Sequence, residues 1–180
     1  PPIIDGISIN YCTSNRGKKS VVLDLKDPRG AEAFRKLAAQ ADVLLESYRP
    51  GVMKKLGLDY ETLKEINPRL IYCSISAYGQ VGPYAKRPGY DVIAQAVSGI
   101  MYMTGDPDGS PTKIGTALGD WVGGLTAFGM IGTAMYYRSI TGKGQHIDIS
   151  LARLLMWMSA RFDFTYTGKQ DFRSGNHHTT

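Results

Sequence analysis

Short apolar runs alternate with helix-forming stretches through the first half of the chain, and this alternation most constrains what it can fold into. Ser20-Val21-Val22-Leu23-Asp24-Leu25, Val43-Leu44-Leu45-Glu46 and Leu70-Ile71-Tyr72-Cys73-Ser74-Ile75 read as strands, short and rich in β-branched or apolar residues. Between the first two, Asp27 and Pro28 open a helix as cap and first-turn residue, with Ala31, Phe34, Leu37 and Ala38 on one face. Between the second and third, Arg49-Pro50-Gly51 turns the chain. Val52 to Leu56 then predicts a short helix ending at Gly57, and Asp59 caps another that stops at Asn67-Pro68. This spacing predicts βαβ units, hence an α/β fold with a mostly parallel sheet and flanking helices. The near-continuous apolar strands fit a sheet covered on both faces. Ligands of such sheets bind beyond the carboxyl ends of the strands. Those ends carry Asp24-Leu25-Lys26, Ser47-Tyr48-Arg49 and Ser76-Ala77-Tyr78-Gly79, a polar, aromatic and basic set where a phosphorylated cofactor could sit.

The second half opens with a glycine- and proline-rich loop, Gly79 to Gly89, and a helix predicted from Tyr90-Asp91 through Val92, Ile93 and Ala96. Thr141-Gly142-Lys143-Gly144-Gln145 is a tight turn into an alternating strand, His146 to Ser150, and Ser150 caps a last helix predicted over Leu151 to Tyr166. Between them lies a helix in which Asp120 is the only charge between Lys113 and Arg138. The positions stacked beside it are small: Thr116, Ala117, Gly123 and Gly124, with Ala127 a turn further on, while Leu118, Trp121, Leu125, Phe128 and Met135 fall mostly on other faces. Two readings stand. An acid in a first helical turn is favoured by the dipole and the unpaired N–H groups there. The same field keeps a partly buried carboxylate ionised, which suits a nucleophile, and the small strip leaves room for a reacting carbonyl.

Composition narrows the classes. With 43% hydrophobic and 21% charged residues in 180, the chain is globular rather than disordered, long enough for one domain or part of a larger one. The net charge of +5 lies wholly in residues 1–90, which hold 14 Lys/Arg against 9 Asp/Glu, and would draw an anionic ligand. No basic run interleaved with aromatics points to nucleic acid. Two cysteines make no disulfide framework, and a reduced, cytoplasmic setting is expected. The uncharged stretch Trp121 to Tyr137 is at the short limit for a membrane span and rich in glycine, so a buried helix of a soluble protein is expected, with no membrane partner. His146, His177 and His178 have no carboxylate at helical spacing and there is no CxxC pair, so no metal is expected. GxSxG, P-loop and GxGxxG patterns are absent. Both ends, Pro1-Pro2 and His178-Thr179-Thr180, read as cut.

Several segments, in order, resemble one family. They are Arg16 to Lys26, Ala41 to Gly51, Asn67 to Tyr72, Gly79 to Tyr84, Pro88-Gly89-Tyr90-Asp91, Gly119-Asp120 and Thr141 to Gln145. Together they are similar to the family III CoA-transferases of CaiB/BaiF type, which include formyl-CoA transferase and the carnitine and benzylsuccinate CoA-transferases. The resemblance implies a Rossmann-like sheet in a two-domain protomer, two of which interlock as a homodimer. It makes residues 1–180 an internal piece of the large CoA-binding domain, without the first strand and the C-terminal half with its small domain. It implies that coenzyme A enters as an acyl-CoA, with a carboxylic acid as second substrate. It places Asp120 as the nucleophile, passing through an aspartyl anhydride and an aspartyl-CoA thioester. By the same carry-over CoA contacts fall on Leu23, Asp24, Leu25, Lys26, Ser47, Tyr48, Arg49, Lys55, Leu56, Arg87, Pro88, Gly89 and Tyr90. Formyl-CoA transferase has an arginine at the Lys55 position; lysine keeps the charge and loses the bidentate fork. The α-methylacyl-CoA racemases share much of this motif set but carry a histidine where Tyr90 stands, and tyrosine is a poor base at neutral pH. A non-catalytic acyl-CoA-binding module is the third alternative.

Overall fold

A computed structural model of the chain describes residues 2–159, 173, 175 and 176. Its central element is a parallel three-stranded sheet of β3 (Val43–Glu46), β4 (Ile71–Ser76) and β5 (Gln145–Ser150), with β4 in the middle. Leu44 pairs with Tyr72 and Tyr72 with His146, so these three share a face; Leu45, Cys73 and Ile147 share the other. A separate hairpin of β1 (Ile3–Ile4) and β2 (Ile7–Ser8) turns through Asp5-Gly6, both at positive φ, and runs into α1 (Ile9–Ser14). These first elements were not anticipated, although Asp-Gly between isoleucines is a hairpin signal.

Helices cover both faces of the sheet. On one, α2 (Pro28–Gln40) and α4 (Tyr60–Ile66) bury Ala38 and Leu63 against Leu44, Leu70 and Tyr72. Asp27 caps α2, its carboxylate accepting from the Arg29 N–H at 2.8 Å. Asp59 fills the corresponding position before α4, but its carboxylate accepts from the Thr62 hydroxyl rather than from backbone. The short α3 (Val52–Lys55) follows the turn at Gly51, as expected. On the other face, α7 (Leu118–Thr141) lays Ala127 and Ala134 on Ile71, Cys73, Ile147 and Ile149. Burial there pushes the Cys73 thiol up to about 11, with the charges of Glu46 and Asp148 adding to the effect. A third cluster joins α5 (Asp91–Ser98), α6 (Ile100–Met103) and α8 (Leu151–Met158) through Ala94, Ile100, Leu151 and Leu155. Ser150 caps α8 by accepting from Arg153 N–H, and the rest of the helix predicted to Tyr166 lies outside the described residues.

Helix α7 is pinned at its far end by a buried charge. Arg138 donates to the carbonyls of Asp42 and Arg69, each at 3.1 Å, and to the Asp42 carboxylate at 2.8 Å. A cation in a last helical turn suits the dipole, and here it also ties down the chain just before β3 and β4. The helix is not buried all round, contrary to expectation. Gly119, Gly123, Ala127 and Ala134 face the protein, while Trp121, Leu125 and Phe128 are 68%, 72% and 79% exposed. Small side chains let the helix axis approach α8 and the sheet, and the bulky ones are left outward. Among the described residues no helix is long and apolar enough to cross a membrane.

The strand expected at Ser20 to Leu25 does not form. This run belongs to neither sheet and ends in a turn at Leu25, and Val21 and Val22 are 66% and 93% exposed. β-branched residues favour a strand only where a neighbouring edge supplies hydrogen bonds and a packing surface. The run ends instead by tucking the Asp24 carbonyl against Gly30 of α2, where an added Cβ would lie 2.0 Å from that oxygen.

Two glycines give opposite tests of this packing. A Cβ on Gly144 would lie 2.0 Å from the Leu70 carbonyl oxygen, whereas one on Gly124 meets nothing within 4 Å. Gly144→Ala should destabilise the chain by about 1–3 kcal/mol, through forced backbone movement. Gly124→Ala should stabilise it by about 0.5–1 kcal/mol through helix propensity. Urea unfolding of the two variants beside the parent measures both.

Candidate active site

The N-terminal end of α7 is built by a neighbouring helix rather than by its own cap. Ala117 occupies the cap position and supplies no side-chain hydrogen bond. Asp91, the first residue of α5, takes over: its Oδ1 accepts from the Gly119 N–H at 2.6 Å. Its Oδ2 accepts from Gln95 Nε2 at 2.7 Å, one helical turn along α5. Gln95 is fully buried, donates also to the Thr116 carbonyl and accepts from the Ile114 N–H. Every polar atom of that side chain is thereby used on the segment that leads into α7. Gly119 is required, since a Cβ there would sit 3.0 Å from Asp91 Oδ1 and 3.2 Å from the Leu155 side chain.

Asp120 follows directly, in the first turn and exposed. It opens on a cleft of about 640 Å3 lined by Asn10, Thr13 and Ser14 of α1, by Gly115, Thr116 and Ala117, and by Trp121. The expected small strip is divided by the fold. Gly123 and Ala127 are buried, Gly123 against Leu151, whereas Thr116 and Gly124 remain open, so the approach to Asp120 runs over the helix start and not along the whole strip. The Asp120 carboxyl is raised above its ordinary range by partial burial and then by the negative charge of Asp91. This opposes the expected dominance of the helix dipole. One of the first-turn donors that would favour a charged Asp120 is already held by Asp91.

The residues proposed by resemblance for CoA fall largely into adjoining clefts. Leu25, Lys26, Lys55 and Leu56 line one of about 380 Å3 with Arg35. Leu25 also lines a second, of about 340 Å3, together with Ser47, Tyr48 and Met53. Ser47 and Tyr48 line a third, narrow one with Arg49, Arg87, Gly89 and Tyr78. Shared residues thus string these clefts along the carboxyl ends of β3 and β4. Arg87 stacks over the Tyr84 ring at 4.2 Å, which holds its guanidinium beside the loop. Leu23, Asp24, Pro88 and Tyr90 line none of these clefts; the Asp24 carboxylate accepts from Lys26 N–H, and Tyr90 is 71% exposed. The Asp120 cleft shares no residue with them, and the chain from Gly89 to Asp91 is what joins the two regions. Asp91 and Gln95 were missed from the sequence. An acid opening a helix gives no sign that it serves a second helix 28 residues away.

A further recess of about 230 Å3 lies on the sheet face of Glu46, Ser74 and His146. Ser74 Oγ and His146 Nε2 are 2.9 Å apart, and Tyr60 stacks on the imidazole. Ser74 is 1% exposed and cannot meet a substrate as a nucleophile, and burial pulls the His146 pKa down. The pair is a satisfied contact within the sheet. Among the described residues no group of His, Cys, Asp and Glu could hold a metal ion.

Fold and site together describe an α/β protein with basic side chains in the clefts at its strand ends and an exposed acid, Asp120, in the first turn of α7. A profile for CoA-transferase family III matches residues 1–180. The acetyl-CoA:oxalate CoA-transferase of Acetobacter aceti is 48% identical over 180 residues, 98% of this chain and 46% of the relative. The human succinyl-CoA:glutarate CoA-transferase is 45% identical over 151 residues, 84% of this chain and 34% of the relative. The crystal structure of a CAIB/BAIF family protein from Brucella suis superposes with a TM-score of 0.90 at 45% identity, over 97% of this chain and 47% of that one. The chain belongs to CoA-transferase family III and spans about half the length of the curated relatives it matches.

Asp120 binds its proton more tightly folded than unfolded, where the ordinary value is 3.8. Its contribution to stability is therefore fullest below that value and declines as pH rises through the folded one. Asp120→Asn should gain in melting temperature relative to the parent as pH is raised from acid to neutral. Thermal unfolding followed by circular dichroism across that range measures the difference, and a constant difference would contradict the raised value.

Proposed function

We propose that the whole protein transfers CoA from an acyl-CoA to a carboxylic acid, with Asp120 as the covalent nucleophile. The observation that carries this reading is the placement of an exposed, elevated carboxylate at a helix start, joined by Gly89 to Asp91 to the cleft lined by Arg49 and Arg87, which is linked through shared residues to the cleft of Lys55. The three basic side chains attract the phosphates of CoA, and the apolar Leu25, Leu56 and Met53 beside them accept its less polar parts.

In the first step an Asp120 oxygen attacks the thioester carbonyl; the carbon–sulfur bond breaks and the electron pair leaves on sulfur as CoA thiolate. The product is a mixed aspartyl–acyl anhydride. The thiolate attacks the aspartyl carbonyl, releasing the donor acid and forming an aspartyl-CoA thioester. The acceptor carboxylate attacks this thioester, and the thiolate then takes the acceptor's carbonyl from the second anhydride, restoring Asp120. A carboxylate of raised basicity is the better attacking group in the first step, provided it is ionised. The named relatives act on oxalate, glutarate or succinate, and we extend to this protein a dicarboxylic acid as one of its two acids. Residues 1–180 belong on this reading to the large CoA-binding domain of an interlocked homodimer in the cytoplasm, with CoA the only cofactor. Tyr90, standing where the racemases have histidine, favours transfer over proton exchange at the α-carbon.

Full-length protein incubated with an acyl-CoA and hydroxylamine should yield a hydroxamate on Asp120, read by peptide mass spectrometry. Asp120→Ala should abolish the adduct and lower turnover at least about a thousandfold. An active protein with Asp120 unmodified would refute the mechanism, and deuterium entering the α-carbon without acyl exchange would indicate a racemase.

A further inference from the structure

Asp91 contacts neither the clefts of the basic strand ends nor the cleft of Asp120, yet it touches the residue before Asp120. Three observations meet there. Its Oδ1 holds the Gly119 N–H at 2.6 Å. Its Oδ2 is held in turn by Gln95, which has no exposure and whose remaining bonds fix Ile114 and Thr116. Gly119 is pressed between Asp91 and Leu155, so the backbone that carries Asp120 has little freedom. A carboxylate oriented by a buried amide and spent on one helix-start donor is more than a solvated surface acid.

We infer that Asp91, braced by Gln95, is a positioning residue for the Asp120 nucleophile: it fixes the first turn of α7 and sets a negative charge beside the carboxylate that must attack. The inference rests on the reading of Asp120 given above. Its chemistry follows from where charge moves. Before attack, Asp91 and Asp120 are like charges and repel. When an Asp120 oxygen bonds the thioester carbonyl and the carbon–sulfur bond breaks, the negative charge passes from Asp120 to the departing sulfur. The repulsion is relieved as the anhydride forms, so Asp91 opposes the free carboxylate and not its acylated form. The groups around Asp120 make Asp91 the charged neighbour that matters. Asn10, Thr13 and Ser14 of α1 are uncharged, the next charge along α7 is Arg138, and the nearest in the preceding loop is Lys113. Partial burial and Asp91 together raise the Asp120 carboxyl, in keeping with this arrangement.

Two substitutions in the full-length protein separate placement from charge. Asp91→Ala removes both; Asp91→Asn keeps an oxygen acceptor for the Gly119 N–H, removes the charge and gives up the acceptor that faces Gln95 Nε2, so its pH profile reads the charge. The readouts are the single-turnover rate of hydroxamate capture on Asp120, per folded site, and the KM for acyl-CoA. Asp91→Ala should slow capture about a hundredfold and Asp91→Asn about tenfold, with KM changed less than about twofold in each. In Asp91→Asn the acid limb of the rate profile should also move to lower pH. Capture at the parental rate in Asp91→Asn, with its pH profile unmoved, would overturn the inference, as would a loss expressed in KM alone. Should Asp91→Ala fail to fold, Asp91→Asn decides. Labelling of Asp120 in the parent with normal Asp91 variants would defeat this inference only; no labelling in the parent would defeat both readings.

Discussion

The close seat of α7 on the sheet and on α8 is the contact on which the remaining structure depends. It is possible because the residues facing inward are Gly119, Gly123, Ala127 and Ala134. A Cβ on Gly123 would come within 2.6 Å of the Leu151 side chain, so the helix is as near to α8 as its backbone allows. Both ends of that helix are held by a charged side chain, one of its own and one from α5. Arg138 reaches from its last turn to the Asp42 and Arg69 carbonyls, and Asp91 reaches to its first turn at Gly119. The sheet, α5 and α8 are thereby locked to one rod, and Asp120 projects from the end of that rod beside the loop that follows β4.

Electrostatics divide the molecule along the same line. Excess positive charge belongs to the half of the chain that forms the strand ends, while two acids meet at the start of α7. A helix start ordinarily favours a nearby carboxylate. Here Asp91 takes that advantage, and Asp120 is left with a higher proton affinity than a first-turn acid would have alone. For the nucleophile proposed above, lower stability of the free anion favours bond formation to carbon.

The sequence was most informative where chemistry is local. Val43–Glu46, the Asp27-Pro28 start of α2 and the Ser150 cap of α8 follow from propensity and capping, and all three form. It misled where structure depends on a distant partner. Val21 and Val22 have strand propensity but no edge to pair with, and stand exposed. The isolated acid in an apolar stretch did mark Asp120, yet not its surroundings: Gly123 and Gly124 are indistinguishable in sequence, and one is packed while the other is open. Asp91 and Gln95 were invisible as a pair acting on α7, because a hydrogen bond across 28 residues leaves no periodicity. Several residues carried over by resemblance, such as Leu25, Ser47 and Lys55, do line linked clefts, whereas Tyr90 and Asp24 do not.

The central claim is that Asp120 exchanges an oxygen atom with its substrates, which no merely structural acid would do. In the second half of the proposed cycle the acceptor carboxylate contributes the bridging oxygen of an anhydride, and the thiolate then removes the acceptor's acyl carbon. That oxygen stays on Asp120. Turnover with an acceptor acid labelled with heavy oxygen should therefore leave the label in the carboxylate of Asp120, detectable in the peptide that contains it. Turnover that consumes the labelled acid and leaves Asp120 without heavy oxygen would contradict the account.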